Sequence, residues 1–178
     1  MRTRLIVVAI CLALIPRAGW AQTGGAGSPE ARIAAALAAA QAAGVPASIL
    51  ELKVKEGQAK HVPLVRVASA VEERLQALIS ADVFLRDLVP ERTPPTPELT
   101  VAADAILAGI ELETLARIHR DTPADQRIVA MSVLAEVVRM GIPPDAAATE
   151  VRDAVRSGAE ALLGLPGRVR ARTRDGGG

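Results

Sequence analysis

Apolar residues recur three and four positions apart over most of the chain, the spacing of one helical face. The clearest run is Leu64, Val67, Val71, Leu75, Leu78, Ala81 and Leu85, which step 3, 4, 4, 3, 3 and 4. It predicts a helix over 64–88, roughly 37 Å long at about 1.5 Å per residue. Before it, an Ala-rich segment from Glu30 puts Ile33 and Leu37 on one face and stops at Gly44. A second helix follows Pro46 and aligns Leu50 with Val54. Beyond it the pattern predicts helices over 98–108, 111–120, 124–140 and 145–157. The 124–140 segment is apolar on nearly every side, which marks it as the central helix of its half. In 145–157, Ala147, Val151, Ala154 and Val155 face inward. No stretch alternates apolar and polar residues with turn signals at both ends. The fold class is all-α, built of short helical hairpins.

Proline and glycine punctuate this pattern. Pro90-Glu-Arg-Thr-Pro-Pro-Thr-Pro97 carries four prolines in eight residues and predicts an extended linker. It divides the chain into a first helical unit, 30–89, and a second, 98–165, with the linker at 90–97. Ala43-Gly44-Val45-Pro46, Ala108-Gly109-Ile110 and Met140-Gly141-Ile142-Pro143 use one device, and His61-Val62-Pro63 is a looser copy. Gly takes the left-handed position that closes a helix, Val or Ile covers the junction, and Pro pre-sets the next helix. The halves also run in parallel: Leu50 with Leu115, His61 with His119, Pro63 with Pro123, Arg66-Val67 with Arg127-Ile128. This favours a duplicated hairpin unit over chance likeness of short hairpins. After Leu165, residues 166–178 hold Arg168, Arg170, Arg172 and Arg174 and little to bury, and are expected to form a basic disordered tail.

The first 21 residues break the pattern. Arg2 and Arg4 precede an unbroken apolar run from Leu5 to Ile15, then Pro16, then Gly19-Trp20-Ala21 before Gln22. That is the layout of a secretory signal peptide cleaved after Ala21. The run is too short for a bilayer span, which takes about 20 apolar residues, and no transmembrane segment is expected after cleavage. Residues 22–29 form a flexible leader of small residues. Export to the periplasm or exterior of a bacterium changes the composition. Loss of Arg2, Arg4 and Arg17 lowers the basic count from 21 to 18 against 20 acidic residues, so the net charge moves from +1 to −2. Cys11 and Trp20 leave as well, and Phe84 becomes the only aromatic residue. Without Cys, thiol catalysis, thiolate metal sites and disulfides are all excluded.

The run Gly44-Val-Pro, Lys55-Glu56-Gly57 with Ala59-Lys60, Val62-Pro63 and the later Gly141-Ile-Pro resembles a group of uncharacterised exported helical proteins of bacteria. The resemblance covers about residues 43–157, and His61 stands where that group has Gly. It implies export and a helical fold, and no activity.

Candidate chemistry is sparse. The only three lysines of the chain, Lys53, Lys55 and Lys60, fall within eight positions, with His61 beside them. One reading is a cationic site for an anionic partner. The other is a solvated face, with Glu51–Lys55 and Glu56–Lys60 as i, i+4 pairs. Gly57, unfavourable inside a helix, suggests close backbone approach. His61 and His119 lie near helix ends, where the helix dipole favours a charged imidazole. Neither HExxH nor a clustered His-Asp pattern occurs, so no metal or cofactor is expected. No nucleophile sits in a Gly-x-Ser-x-Gly turn. Few aromatics and an acidic mature body argue against nucleic acid, while the four tail arginines could tether the chain to an anionic surface. The favoured function is a non-enzymatic envelope component that binds another envelope protein or an anionic surface. The alternatives are a carrier of a small apolar ligand, with Met131 or Met140 lining its pocket, and an enzyme using Lys53, Lys55, Glu56 and His61.

Overall fold

The computed structural model describes residues 27–175. The expected signal peptide, and all of the leader before Gly27, lie outside the described residues. Eight helices run in sequence order: α1 Pro29–Ala42, α2 Ala47–Ala59, α3 Leu64–Leu88, α4 Thr96–Leu107, α5 Leu112–Asp121, α6 Arg127–Arg139, α7 Pro144–Ser157 and α8 Ala159–Asp175. Among the described residues there is no strand, and the fold is all-α. None of these helices is long and apolar enough to cross a membrane.

The expected seam on α3 is its buried face. Val71, Leu78 and Ala81 are fully buried, and Val67, Leu75 and Leu85 nearly so. A second row, Ala68, Ala77 and Phe84, is buried as well. This lets α3 receive α1 and α2 on one side and α4 on another. Small Ala side chains permit that sharing, because two neighbours can approach one helix closely. In the other half α6 packs against α4, α5, α7 and α8, the central role its composition predicts.

The punctuation takes the backbone form expected of it. Gly44, Gly109 and Gly141 adopt φ of 71°, 81° and 93°. His61 has φ 52°, the only described non-Gly residue with positive φ. Three of the four junctions close with the same bond pair: Val45 N–H to the Ala40 carbonyl (3.0 Å) and Gly44 N–H to Gln41 (3.1 Å), repeated at His61-Val62 and Gly109-Ile110. These bonds satisfy carbonyls that a helix end leaves open. Val45 and Ile110 are buried over their junctions, whereas Val62 is exposed.

Two expectations are corrected. The Pro-rich linker is shorter than the expected 90–97, and the helices it joins are in contact. Thr96 and Pro97 already belong to the first turn of α4, where a missing N–H costs nothing. α3 and α4 pack directly on each other, and one hydrophobic cluster runs from Ile33 to Val169. The basic tail, as far as Asp175, is the helix α8. Leu162, Leu165 and Val169 step three and four and are buried, a stripe too narrow to stand out beside Pro166-Gly167. Pro166 lies inside that helix. Nearby, the Arg168 guanidinium folds back to donate to the Ala161 carbonyl at 2.8 Å.

Candidate functional site

The lysine cluster occupies α2 and its C-terminal end. Lys53 Nζ and Lys60 Nζ both donate to Glu56, at 3.0 Å and 2.5 Å. Those two hydrogen bonds, Lys60 first, hold the Glu56 carboxyl down at about 2. The expected Glu51–Lys55 pair does not form: Lys55 meets no carboxylate among the described residues, and both side chains stay exposed. Gly57 performs the role its position suggested. A Cβ there would lie 2.5 Å from Val67 Cγ2, so α2 crosses α3 at a point only glycine allows.

The arginine row is largely engaged inside the molecule. Arg170 pairs with Glu136 of α6, and Arg172 Nη2 donates to both oxygens of Glu150 on α7, at 2.9 and 2.8 Å. With Arg168 on the Ala161 carbonyl, Arg174 is left exposed without a carboxylate partner among the described residues.

Two concave regions carry more than these motifs. The larger, about 750 Å³, lies among α2, α3 and α4. Ile49, Leu52, Ala70 and Leu107 supply its apolar walls. Leu52 is 65% exposed and Leu107 47%, and the two lie together on this cleft. Lys53, Glu56, Glu73 and the Arg74–Asp104 pair stand around them. A smaller cleft of about 340 Å³ shares Lys53, Glu56 and Ala70 and extends past Gly57 to Lys60 and Val62. The fold therefore brings Lys53 and Lys60 to a groove, and leaves Lys55 and His61 off it.

The second region centres on Glu98, the third residue of α4, which is buried. Its Oε2 accepts from Arg92 Nη2 at 2.6 Å, and its Oε1 lies 3.1 Å from Nε2 of the buried His119. The expectation of a charged His119 at its helix end is overturned. Burial, aided by the charge of Arg127, pushes the imidazole below its usual range more than the Glu98 hydrogen bond raises it. At neutral pH the ring is neutral, and its Nε2–H donates to Glu98. The sequence held one clue: His119 lies four positions after Leu115 and one after Ile118, on the buried face of α5.

No family model, characterised protein or solved structure matches this chain.

Functional inference therefore rests on its surfaces. Among the described residues no group of three or more His, Cys, Asp or Glu is gathered to hold a metal ion. Met131 is fully buried in the α6 core and Met140 packs against it, and neither lines a cleft described above. What the groove offers is apolar anchoring area ringed by both signs of charge.

Proposed function

We propose that this chain is an exported, non-enzymatic helical protein of the bacterial envelope that binds an amphipathic segment of another protein in the α2–α3–α4 groove. The observation that carries the reading is the pair Leu52 and Leu107, 65% and 47% exposed and both on one cleft of about 750 Å³. A helix laid in a groove buries apolar side chains spaced three, four and seven apart, and presents charge at its edges. Leu52, Leu107, Ile49 and Ala70 suit the first requirement. Lys53, Glu73 and Arg139 suit the second. Export is supported by the charged start, apolar run and small residues of 1–21.

A photo-crosslinking residue placed in turn at Leu52, Leu107 and Val83, in the native host, tests the groove. Val83 is 55% exposed on α3 and lines neither part of the groove, so it serves as the control. The same adduct mass is expected from Leu52 and Leu107, and none from Val83. Silence at both groove positions, or an identical adduct set from Val83, overturns the reading. Intact mass of the recovered protein tests export separately: cleavage after Ala21 leaves a chain with neither Trp nor Cys.

A further inference from the structure

We propose that the cleft between the 89–98 segment and the start of α6 is a second site, which binds a small monocarboxylate carrying a short apolar tail. The cleft measures about 350 Å³, at the small end of the range of about 300–1,000 Å³ for ligand sites. It is separate from the α2–α3–α4 groove and shares no lining residue with it.

Charge selects the headgroup. Arg92 and Arg127 both line the cleft, and Glu98 is its one carboxylate. Arg92 uses Nη2 on Glu98, while Arg127 donates only Nε, to the Thr122 carbonyl at 3.2 Å. Both terminal nitrogens of Arg127 therefore remain without a protein acceptor among the described residues, in a fork that matches a carboxylate. Arg127 is also the first residue of α6, and its N-cap, Gln126, gives no side-chain capping bond. The positive end of the helix dipole thus lies at the same place. With His119 neutral, two guanidinium groups against one carboxylate leave a single positive charge. A monoanion balances it. A phosphate dianion would exceed it and meet the fixed charge of Glu98.

The walls select the rest of the ligand. Val89, Pro95, Ala124 and Ile128 present apolar atoms to the cleft, and Ile128 is 37% exposed. Its position is explained if it covers the tail of a ligand. No aromatic residue is present for stacking, so a compact aliphatic body fits better than a base or a sugar.

Hexanoate is the direct probe, titrated into the full-length protein by calorimetry, with amide NMR shifts locating it. Saturable binding is expected, with shifts confined to residues 89–98 and 122–128. Hexan-1-ol and inorganic phosphate are expected to bind at least tenfold more weakly. Arg127→Gln should weaken hexanoate at least tenfold, and Arg156→Gln, an exposed arginine on α7, should leave it unchanged. If Arg127→Gln loses its helical circular dichroism, Ala124→Phe decides instead, because it fills the cleft from an exposed position and keeps both arginines. The proposal is overturned if hexanoate does not bind, if phosphate or hexan-1-ol binds as well, or if the deciding variant binds like wild type. Neither result depends on whether the α2–α3–α4 groove has a partner.

Discussion

Two carboxylates in this protein are built alike and behave in opposite ways. Glu56 lies between Lys53 and Lys60, and Glu98 lies between Arg92 and His119. The Glu56 side chain is 43% exposed and that of Glu98 4%. The first cluster forms within one helix, from residues three and four apart. The second gathers residues six and twenty-one positions apart, from a turn and two helices. Water competes for every bond around Glu56. Around Glu98 little water reaches, so each bond must be made by the protein or its loss is felt in full. The same pairing chemistry is thus decoration in one place and a condition of the fold in the other.

The largest expected effect separates the two directly. Glu98→Ala removes the acceptor of a buried ring N–H and of the Arg92 guanidinium. Arg92 is 45% exposed and can turn to water, but His119 cannot. The loss should be about 2–3 kcal/mol, a drop of roughly 4–12 °C in Tm for a chain of this size. Thermal denaturation followed by circular dichroism reads it. A Tm within a degree of wild type would mean that the buried cluster is no more important than the exposed one.

Gly57→Ala comes next, and it sharpens the comparison by showing that α2 is not loose where it crosses α3. Alanine should favour the helix by about 1 kcal/mol. Its methyl group would instead meet Val67, which is 3% exposed. Overpacking of this kind costs about 1–3 kcal/mol, so the net change should be a modest destabilisation. Combined with Val67→Ala, the substitution should cost less than the sum of the two single losses, a non-additive pair. If Gly57→Ala raises Tm, the close crossing is wrong.

The third test uses pH. The folded state holds His119 below its ordinary value, mainly through burial and then Arg127, against the raising effects of the Glu98 hydrogen bond and charge. Below about pH 6.5 the unfolded chain therefore binds a proton that the folded chain resists. Stability from this group is present above pH 6.5 and is lost as pH falls from there through the lower folded value. Arg92 and Arg127 add repulsion to the protonated ring. Tm should fall between pH 7.5 and 5.5, and His119→Asn should flatten that slope. Equal slopes would place the origin elsewhere.

How much of this could be read from the chain follows the same division. Local rules identified α3, the left-handed turns at Gly44, His61, Gly109 and Gly141, and the close approach at Gly57. Each depends on neighbours within a few positions. The helix α8 was hidden because Pro166-Gly167 is a strong local breaker, and what holds α8 lies elsewhere: Leu162, Leu165 and Val169 in the shared core, Glu136 on α6 and Glu150 on α7. The groove was hidden for the same reason, since Leu52 and Leu107 belong to different helices. Glu98 and His119 were the least legible, because nothing within a helix turn of either names the other. The lysine cluster stood out in the sequence since its pairs are local, which is also why it contributes little to the fold.

The smallest expected effect concerns that cluster. Glu56→Gln should lower Tm at pH 7 only slightly, because Lys53 and Lys60 can both return to water and salt screens most of the attraction. Whatever small gap separates the two forms at neutral pH should close in acid. Glu56 is held down at about 2, first by the Lys60 hydrogen bond and then by that of Lys53. Its ordinary value is 4.5, so its contribution is complete above about pH 4.5 and is lost as pH falls through 2. Wild type should therefore lose stability faster than Glu56→Gln over that interval, on top of a decline that both share through Glu30 and Glu72, whose carboxyls are also held low. Raising the salt to about 0.5 M should shrink the gap, as the screening length falls to a few ångströms. Lowering of Tm at neutral pH to the extent seen for Glu98→Ala would erase the distinction between the two clusters. If instead Glu56→Gln barely moves Tm but weakens crosslinking from Leu52, the lysines it releases belong to the groove's function and not to the fold.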